Sequence, residues 1–308
     1  MTSKPSDRAR WLLAVLLAAA GCVSAGPAAQ PSNAGYLLIV GGGPLPDSIL
    51  RRFVELAGGA GKARIVVFPM ASQYPDAGEE IVKSFEALGA SAERVAFDHA
   101  GAEAEAAVRR LDGVTGIWFG GGDQARLTAA LAGTPVERAI HDRYRAGAVV
   151  GGTSAGAAVM TTPMITGDER HPGGSRPPQD LNDSSIAFMT IARDDVVIAP
   201  GFDLLPGAIV DQHFVRRRRL NRLISVVLEH PERIGVGIDE STALEVGPDG
   251  LWRVMGESVA VVYDARRARV TPQGESPLGA ADVRMQVLPA GSVYDPRSGE
   301  ATLPAAPR

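Results

Sequence analysis

The chain has 308 residues, 45% of them hydrophobic, and a formal net charge of −4. That length and composition suit one large α/β domain or two small ones. No global basic excess is present to neutralise phosphates, which argues against a nucleic-acid binder, and a mean hydropathy of +0.03 excludes a multi-span membrane protein.

In chain order, the first feature is "MTSKPSDRARW", carrying Lys4, Arg8 and Arg10, followed by the apolar "LLAVLLAAAG". This apolar stretch is too short to span a bilayer comfortably. It predicts a secretory signal peptide over residues 1–21. Cys22 follows "LAAAG", which resembles a bacterial lipobox with Ala19 where Leu is usual. The expectation is lipidation of Cys22 as an exported bacterial lipoprotein, with the membrane touched only through that anchor. Cleavage after the small-residue site Val23–Ala25 is the other route and gives a periplasmic or secreted form. Cys22 is the only cysteine, so an intrachain disulfide, a Cys nucleophile and a Cys-ligated metal site are excluded. Residues 22–35 are Ala/Pro/Ser-rich without periodicity and predict a flexible tether.

"YLLIVGGG" (36–43) predicts a buried strand and a turn, and "PDSILRRFVELAGG" a helix with Ile49, Phe53 and Leu56 on one face. "ARIVVFPMAS" predicts a second strand, "GEEIVKSFEALGA" a helix and "RVAFD" (94–98) a third strand. "GAEAEAAVRRLDG" predicts a helix, "TGIWFGGGDQ" a strand, residues 125–147 mostly helix, and "AVVGGTSAG" a strand and turn. Buried strands alternating with amphipathic helices imply βαβ units and a mostly parallel sheet covered on both faces. Sites in such sheets lie beyond the carboxyl ends of the strands. That rule selects the loops Gly41–Gly43, Gly120–Gln124 and Gly152–Gly156. The pattern weakens over 161–200, where "TGDERHPGGSRPPQDLNDSS" predicts a long polar surface loop, centred on 167–185. Short strand-like runs dominate from residue 234 onward.

Gly152-Thr153-Ser154-Ala155-Gly156 satisfies G-x-S-x-G between a predicted strand and a predicted helix. That pattern lifts a serine onto a strained turn, with flanking glycines where side chains would clash. Its helix N-terminus also offers N–H groups to a developing negative charge. A serine hydroxyl needs a base, and the base an orienting acid. Of the five histidines, His141 lies in a charged helix, His171 in the polar loop and His230 before a proline at a helix end. His99 ends a strand and stays a candidate. His213, in "GAIVDQHF", closes an apolar strand among polar neighbours and is best placed. "RIGVGIDES" puts Asp239 and Glu240 at a strand end, where a carboxylate reaches the same rim. The chain order read is Ser154, His213, Glu240. "WFGGGDQ" supplies backbone N–H groups, from Gly121 and Gly122, to complete an oxyanion hole with Ala155. No phosphate fingerprint follows it, "GGGP" at 41–44 fails the G-x-G-x-x-G spacing, and no cofactor or metal is implied. "FVRRRRLNRL" (214–223) is an isolated positive patch, either a solvated helix face or a carboxylate-recognition site.

Together these pieces resemble one family, the cyanophycinases, within the aspartyl-dipeptidase-like serine peptidases. The matching stretches are "GGGDQARL", "GGTSAGAAVM", "LLPGAIVDQHF" with the arginines after it, and "GVGIDESTAL". They arrive in the family's order and span residues 36–265, leaving 266–308 as C-terminal strands and tail. The resemblance implies an α/β fold: a three-layer α/β/α sandwich with a mostly parallel central sheet, related to class I glutamine amidotransferases with Ser in place of their Cys. It implies Ser154 as nucleophile, His213 as base and Glu240 as orienting acid. It also implies Gln124, Asp211, Gln212, Arg217, Arg219 and Arg222 at the substrate, with no role for Arg216 and Arg218. The chemistry implied is hydrolysis of β-aspartyl linkages, with release of β-Asp-Arg dipeptides from a cyanophycin-like polymer, and a homodimer is suggested. An isoaspartyl or α-aspartyl dipeptidase of the same fold is the alternative enzyme; the "DQHF" and R-x-R set argues against the α-aspartyl form. A non-catalytic surface binding protein is the alternative of another class, and an intact Ser/His/Glu set speaks against it. Three features depart from the family pattern: the long Ser154–His213 stretch, Asp203 where Gly is usual, and the export signal.

Overall fold

The computed structural model describes residues 35–169, 191–272, 274 and 277–305. The signal peptide, Cys22, nearly all of the tether, His171 and residues 170–185 of the polar loop lie outside them. The elements run β1 (Leu37–Val40), α1 (Asp47–Leu56), β2 (Arg64–Phe68), α2 (Glu79–Ala87), β3 (Ser91–Arg94), α3 (His99–Ala102), α4 (Glu105–Arg109), β4 (Gly116–Phe119), α5 (Gln124–Leu131), α6 (Pro135–Arg145), β5 (Val149–Thr153) and α7 (Ala155–Ala158). There follow β6 (Met164–Glu169), β7 (Val196–Ala199), β8 (Ala208–Gln212), α8 (Leu220–Glu229), β9 (Ile234–Ile238), β10 (Thr242–Val246), β11 (Trp252–Gly256) and β12 (Val259–Asp264). The last are β13 (Arg269–Val270), β14 (Ala280–Ala281), β15 (Arg284–Pro289), β16 (Val293–Asp295) and β17 (Glu300–Thr302). Among the described residues no helix is long and apolar enough to cross a membrane.

The central sheet has nine strands in the order β17-β16-β11-β10-β1-β5-β4-β2-β3. Strands β1, β5, β4, β2 and β3 pair in parallel, and β10, β11, β16 and β17 extend the sheet antiparallel from β1. Alternate residues of β1 feed opposite cores, as the two-residue repeat of a strand requires. Leu38 and Val40 join Phe53, Phe85 and Trp118 beneath α1 and α2. Leu37 and Ile39 join the core under α5, α6 and α7. Helices therefore cover both faces, giving the α/β/α sandwich. A second sheet, β15-β12-β9-β8, lies on the α7 side. Its Val210, Val236 and Ile238 enter that same core, while Ile209, Val261 and Tyr263 pack against Leu223, Val226 and Val227 of α8.

Three local expectations shift. The third strand lies at Ser91–Arg94 rather than 94–98, because it is a largely exposed edge strand without an apolar signature. Val95 is buried instead in the turn beyond it. The helix expected over 101–113 is two short ones, α3 being started by Asp98, whose carboxylate accepts the Gly101 N–H at 2.7 Å. Residues 167–169 of the expected loop extend β6, which pairs with β7. Asp203 takes a φ of 50°, a left-handed conformation that favours Gly and that Asp tolerates better than most residues.

Candidate active site

Ser154 stands between β5 and α7 with φ 55° and ψ −112°, a strained backbone for a non-glycine residue. The flanking glycines are required by close approach. A Cβ on Gly152 would lie 2.6 Å from the Gly156 carbonyl oxygen, and one on Gly156 would lie 2.3 Å from that of Phe119. Ser154 therefore sits where β5, α7 and β4 crowd together, with its side chain directed to the rim.

His213 follows β8, and Glu240 follows β9. Ser154 Oγ is 2.8 Å from His213 Nε2, and His213 Nδ1 is 2.6 Å from Glu240 Oε1. The carboxylate holds the proton on Nδ1, which leaves Nε2 free to accept from the serine hydroxyl. Three consecutive carbonyls at the end of β1 hold the backbones in place. Val40 accepts the N–H of Ser154 at 3.1 Å, Gly41 that of His213 at 2.6 Å, and Gly42 that of Ser241 at 2.9 Å. A Cβ on Gly42 would stand 2.3–2.9 Å from the His213 ring atoms. Gly41–Gly43, which matched no nucleotide motif, is thus the floor under the imidazole. Its signal in the sequence was a glycine run at a strand end on the rim.

The His213 side chain is 7% exposed and that of Glu240 24%. Burial lowers the basicity of His213, and the charges of Arg217 and Arg219 lower it further. The Glu240 hydrogen bond and charge oppose them without winning. The imidazole is held below its ordinary 6.5 and is neutral, a base, at neutral pH. His99 is exposed beside Glu103 in α3, His141 lies in α6 and His230 caps α8. His213 alone of the described histidines meets Ser154.

Gly121 abuts the serine, since a Cβ there would point at Ser154 Cβ from 3.5 Å. Gly122 has φ 139°, and the Asp123 N–H that follows is tied to the Ala71 carbonyl at 2.9 Å. Ala155 is the first residue of α7, where backbone N–H groups have no intrahelical acceptor.

The residues expected at the substrate divide. Arg222 and Asp211 are bonded to each other: Nε lies 2.8 Å from Oδ2, and Nη2 contacts Oδ1. Their side chains are 2% and 0% exposed. This corrects the expectation for both. A bidentate pair in the interior is out of a substrate's reach, and Asp211 is not free to receive a substrate guanidinium. Gln124 is also buried, with Nε2 on the Ile165 carbonyl at 2.9 Å, a tie between α5 and β6. Arg219 Nη1 reaches both the Gln212 carbonyl, at 2.8 Å, and Gln212 Oε1, at 2.6 Å. Gln212 thus holds Arg219. Arg217 is 42% exposed with Nε 4.0 Å from Glu240 Oε1, and Arg216 and Arg218 are exposed. The run 214–219 is mostly a turn preceding α8, not a helix face.

The sequence profile of peptidase family S51 matches residues 37–253. A cyanophycinase of Synechococcus elongatus is 37% identical over 258 residues, covering 81% of this chain and 74% of its own. One of Trichormus variabilis is 36% identical over 254 residues, covering 80% and 79%. Among solved structures, a peptidase from an acI-B1 actinobacterium superposes with TM-score 0.62 at 20% identity, covering 86% of this chain and 98% of its own. That last likeness speaks to the fold alone.

Two outcomes follow from the charges. Phosphonylation of Ser154 is expected to rise with pH through a midpoint below 6.5, the ordinary histidine value. In Arg217→Gln, which removes a charge that lowers His213, the midpoint moves upward. Rates measured across pH 4–9 (roughly the range a histidine limb needs) check this. Arg222→Met removes the bidentate partner of the buried Asp211, leaving it the Gln212 N–H at 2.7 Å and Arg219 at 4.0 Å, and is expected to cost about 3 kcal/mol in denaturant unfolding. Arg217→Gln is expected to change stability by under about 0.5 kcal/mol.

Proposed function

Because the chain belongs to peptidase family S51 and is a serine-type peptidase, we propose that it hydrolyses peptides built with β-aspartyl linkages, releasing β-Asp-Arg by cleaving the main-chain amide between units, and is exported to do so. The observation that carries the reading is the Ser154–His213–Glu240 chain of hydrogen bonds with Arg217 and Arg219 close enough to His213 to weaken it as a base. Each β-linked Asp-Arg unit keeps a free α-carboxylate, that of its arginine, near the main-chain amide to be cleaved. Guanidinium groups at the site are the partners such a substrate needs.

His213 Nε2 takes the Ser154 hydroxyl proton as Oγ attacks the carbonyl carbon. Glu240 stabilises the imidazolium that forms and stays ionised. The oxyanion is received by backbone N–H groups of Ala155 and of Gly121 or Gly122. The imidazolium then protonates the leaving amine, the C–N bond breaks, and an acyl-enzyme ester remains. Water, deprotonated by His213, attacks the ester and frees Ser154. In this reading Arg217 and Arg219 bind substrate carboxylate, Gln212 positions Arg219, and Asp211, Arg222 and Gln124 support the site from beneath. The relatives named cyanophycinase favour a polymer of β-linked Asp-Arg units as substrate. Small isoaspartyl peptides fit the same chemistry. Export rests on the basic–apolar N-terminus and on Cys22.

Wild type and Ser154→Ala would be incubated with cyanophycin and, separately, with α- and β-aspartyl dipeptides, and the products weighed by mass spectrometry. The expected result is β-Asp-Arg from wild type only. Cleavage of β-aspartyl dipeptides alone would keep the mechanism and move the substrate, and full activity in Ser154→Ala would sink the nucleophile assignment. Cys22→Ser is expected to shift the protein from the membrane fraction to the soluble fraction on cell fractionation; an unchanged distribution would rule out the lipid anchor.

A further inference from the structure

The acidic pair at the end of β9 is split between two tasks. Glu240 faces His213, whereas Asp239 turns to the chain just beyond it. Asp239 Oδ1 accepts the N–H groups of Val215 at 3.1 Å and Arg216 at 2.9 Å, and its Oδ2 accepts the Ser258 hydroxyl at 2.7 Å. Asp239 is 7% exposed. The turn it holds is anchored at two further points on β9. The Phe214 N–H donates to the Ile238 carbonyl at 3.2 Å. The Phe214 ring fills the space over Gly237, where a Cβ would lie 2.2 Å from it. His213 itself has φ 50°, a conformation that costs free energy and persists only when neighbours over-determine it.

From this we infer that Asp239 is a positioning residue for His213. Its carboxylate fastens the 214–216 turn to the end of β9, so the strand that carries Glu240 also fixes the histidine that Glu240 orients. Base and orienting acid then move as one body. The same turn leads into Arg217, whose N–H bonds back to the His213 carbonyl at 2.9 Å. The inference rests on the reading of Ser154 as the nucleophile and His213 as its base.

The test measures the second-order rate of Ser154 labelling by a small alkyl fluorophosphonate, which needs no carboxylate recognition by the arginines. Serine Oγ bonds phosphorus, fluoride leaves, and His213 accepts the proton. Full-length wild type, Asp239→Ala, Asp239→Glu, Asp239→Asn and Ser154→Ala would be compared, with thermal unfolding and circular dichroism to fix the folded fraction. A displaced base costs about 100-fold for an ångström of misplacement, and Asp239→Ala is expected to label about that much more slowly per folded molecule. Asp239→Glu keeps the charge but pushes the turn outward, and is expected to be slowed about tenfold or more by the same misplacement. It carries the test if the alanine variant does not fold. Asp239→Asn keeps an acceptor for both N–H groups and is expected to stay within about threefold of wild type. A merely structural Asp239 would lower the melting temperature and leave the rate per folded molecule unchanged. That result in Asp239→Glu or Asp239→Ala overturns the inference while leaving the nucleophile assignment intact. Equal labelling of wild type and Ser154→Ala would instead overturn the nucleophile reading, and this inference with it.

Discussion

Three consecutive carbonyls at the end of one strand, those of Val40, Gly41 and Gly42, receive the N–H groups of Ser154, His213 and Ser241. The donors come from three separate segments of the chain, and each has a φ between 50° and 55°. Backbones held in such regions cost of order 1–3 kcal/mol each. Here each is tied by a hydrogen bond to the same short stretch of β1. The stretch must be glycine where the imidazole lies against it, because a side chain at Gly42 would occupy the ring's place. The strain and the glycines are two sides of one constraint. Serine, histidine and the residue after the glutamate converge on a backbone with nothing projecting from it.

The electrostatics follow from the same crowding. Bringing an imidazole out of water lowers its basicity, a carboxylate hydrogen bond raises it, and two guanidinium groups lower it again. The net result keeps the ring neutral near pH 7 while Glu240 stands ready to stabilise its cation. The arginine run supplies those charges unequally. Arg222 is used up inside the protein by Asp211, and Arg219 is steered by Gln212. What remains near His213 is a small positive field made by Arg217 and Arg219. The surrounding structure has already neutralised the carboxylate that would otherwise have offset it.

Much of this was legible in the chain. The alternation of buried strands and amphipathic helices locates β1, β2, β4 and β5, because strands covered on both faces are apolar throughout. Ser154 was legible because G-x-S-x-G states a steric requirement as well as a composition. The exposed edge strand β3 was misplaced because no core records it. The antiparallel half of the sheet was invisible as such, since short strands after residue 234 do not reveal which neighbour they join. Asp211 and Arg222 could not be distinguished from a substrate pair by sequence. They lie eleven positions apart, and only the packing of α8 against β8 shows that their charges satisfy each other. Asp239 and Glu240 read as adjacent carboxylates at one strand end. Their opposite directions follow from the chain leaving β9, which no pattern of residue types encodes.

The two sheets divide the chemistry between them. Ser154 rides on β5 of the large sheet, whereas His213 and Glu240 end strands of the small one. The 2.8 Å contact between serine and histidine therefore measures how the sheets dock. That docking is done by apolar side chains: Ile39 and Val150 from one sheet, Val210, Val236 and Ile238 from the other, all in one buried cluster. Interiors of this density do not deform continuously, so a change of volume in the cluster is transmitted to its rim. The β1 carbonyls work in the same direction, since a strand of the large sheet directly holds residues that the small sheet delivers. A site assembled across such a seam can be tuned from either side without touching the serine, and its alignment is set by the core as much as by the residues that line it.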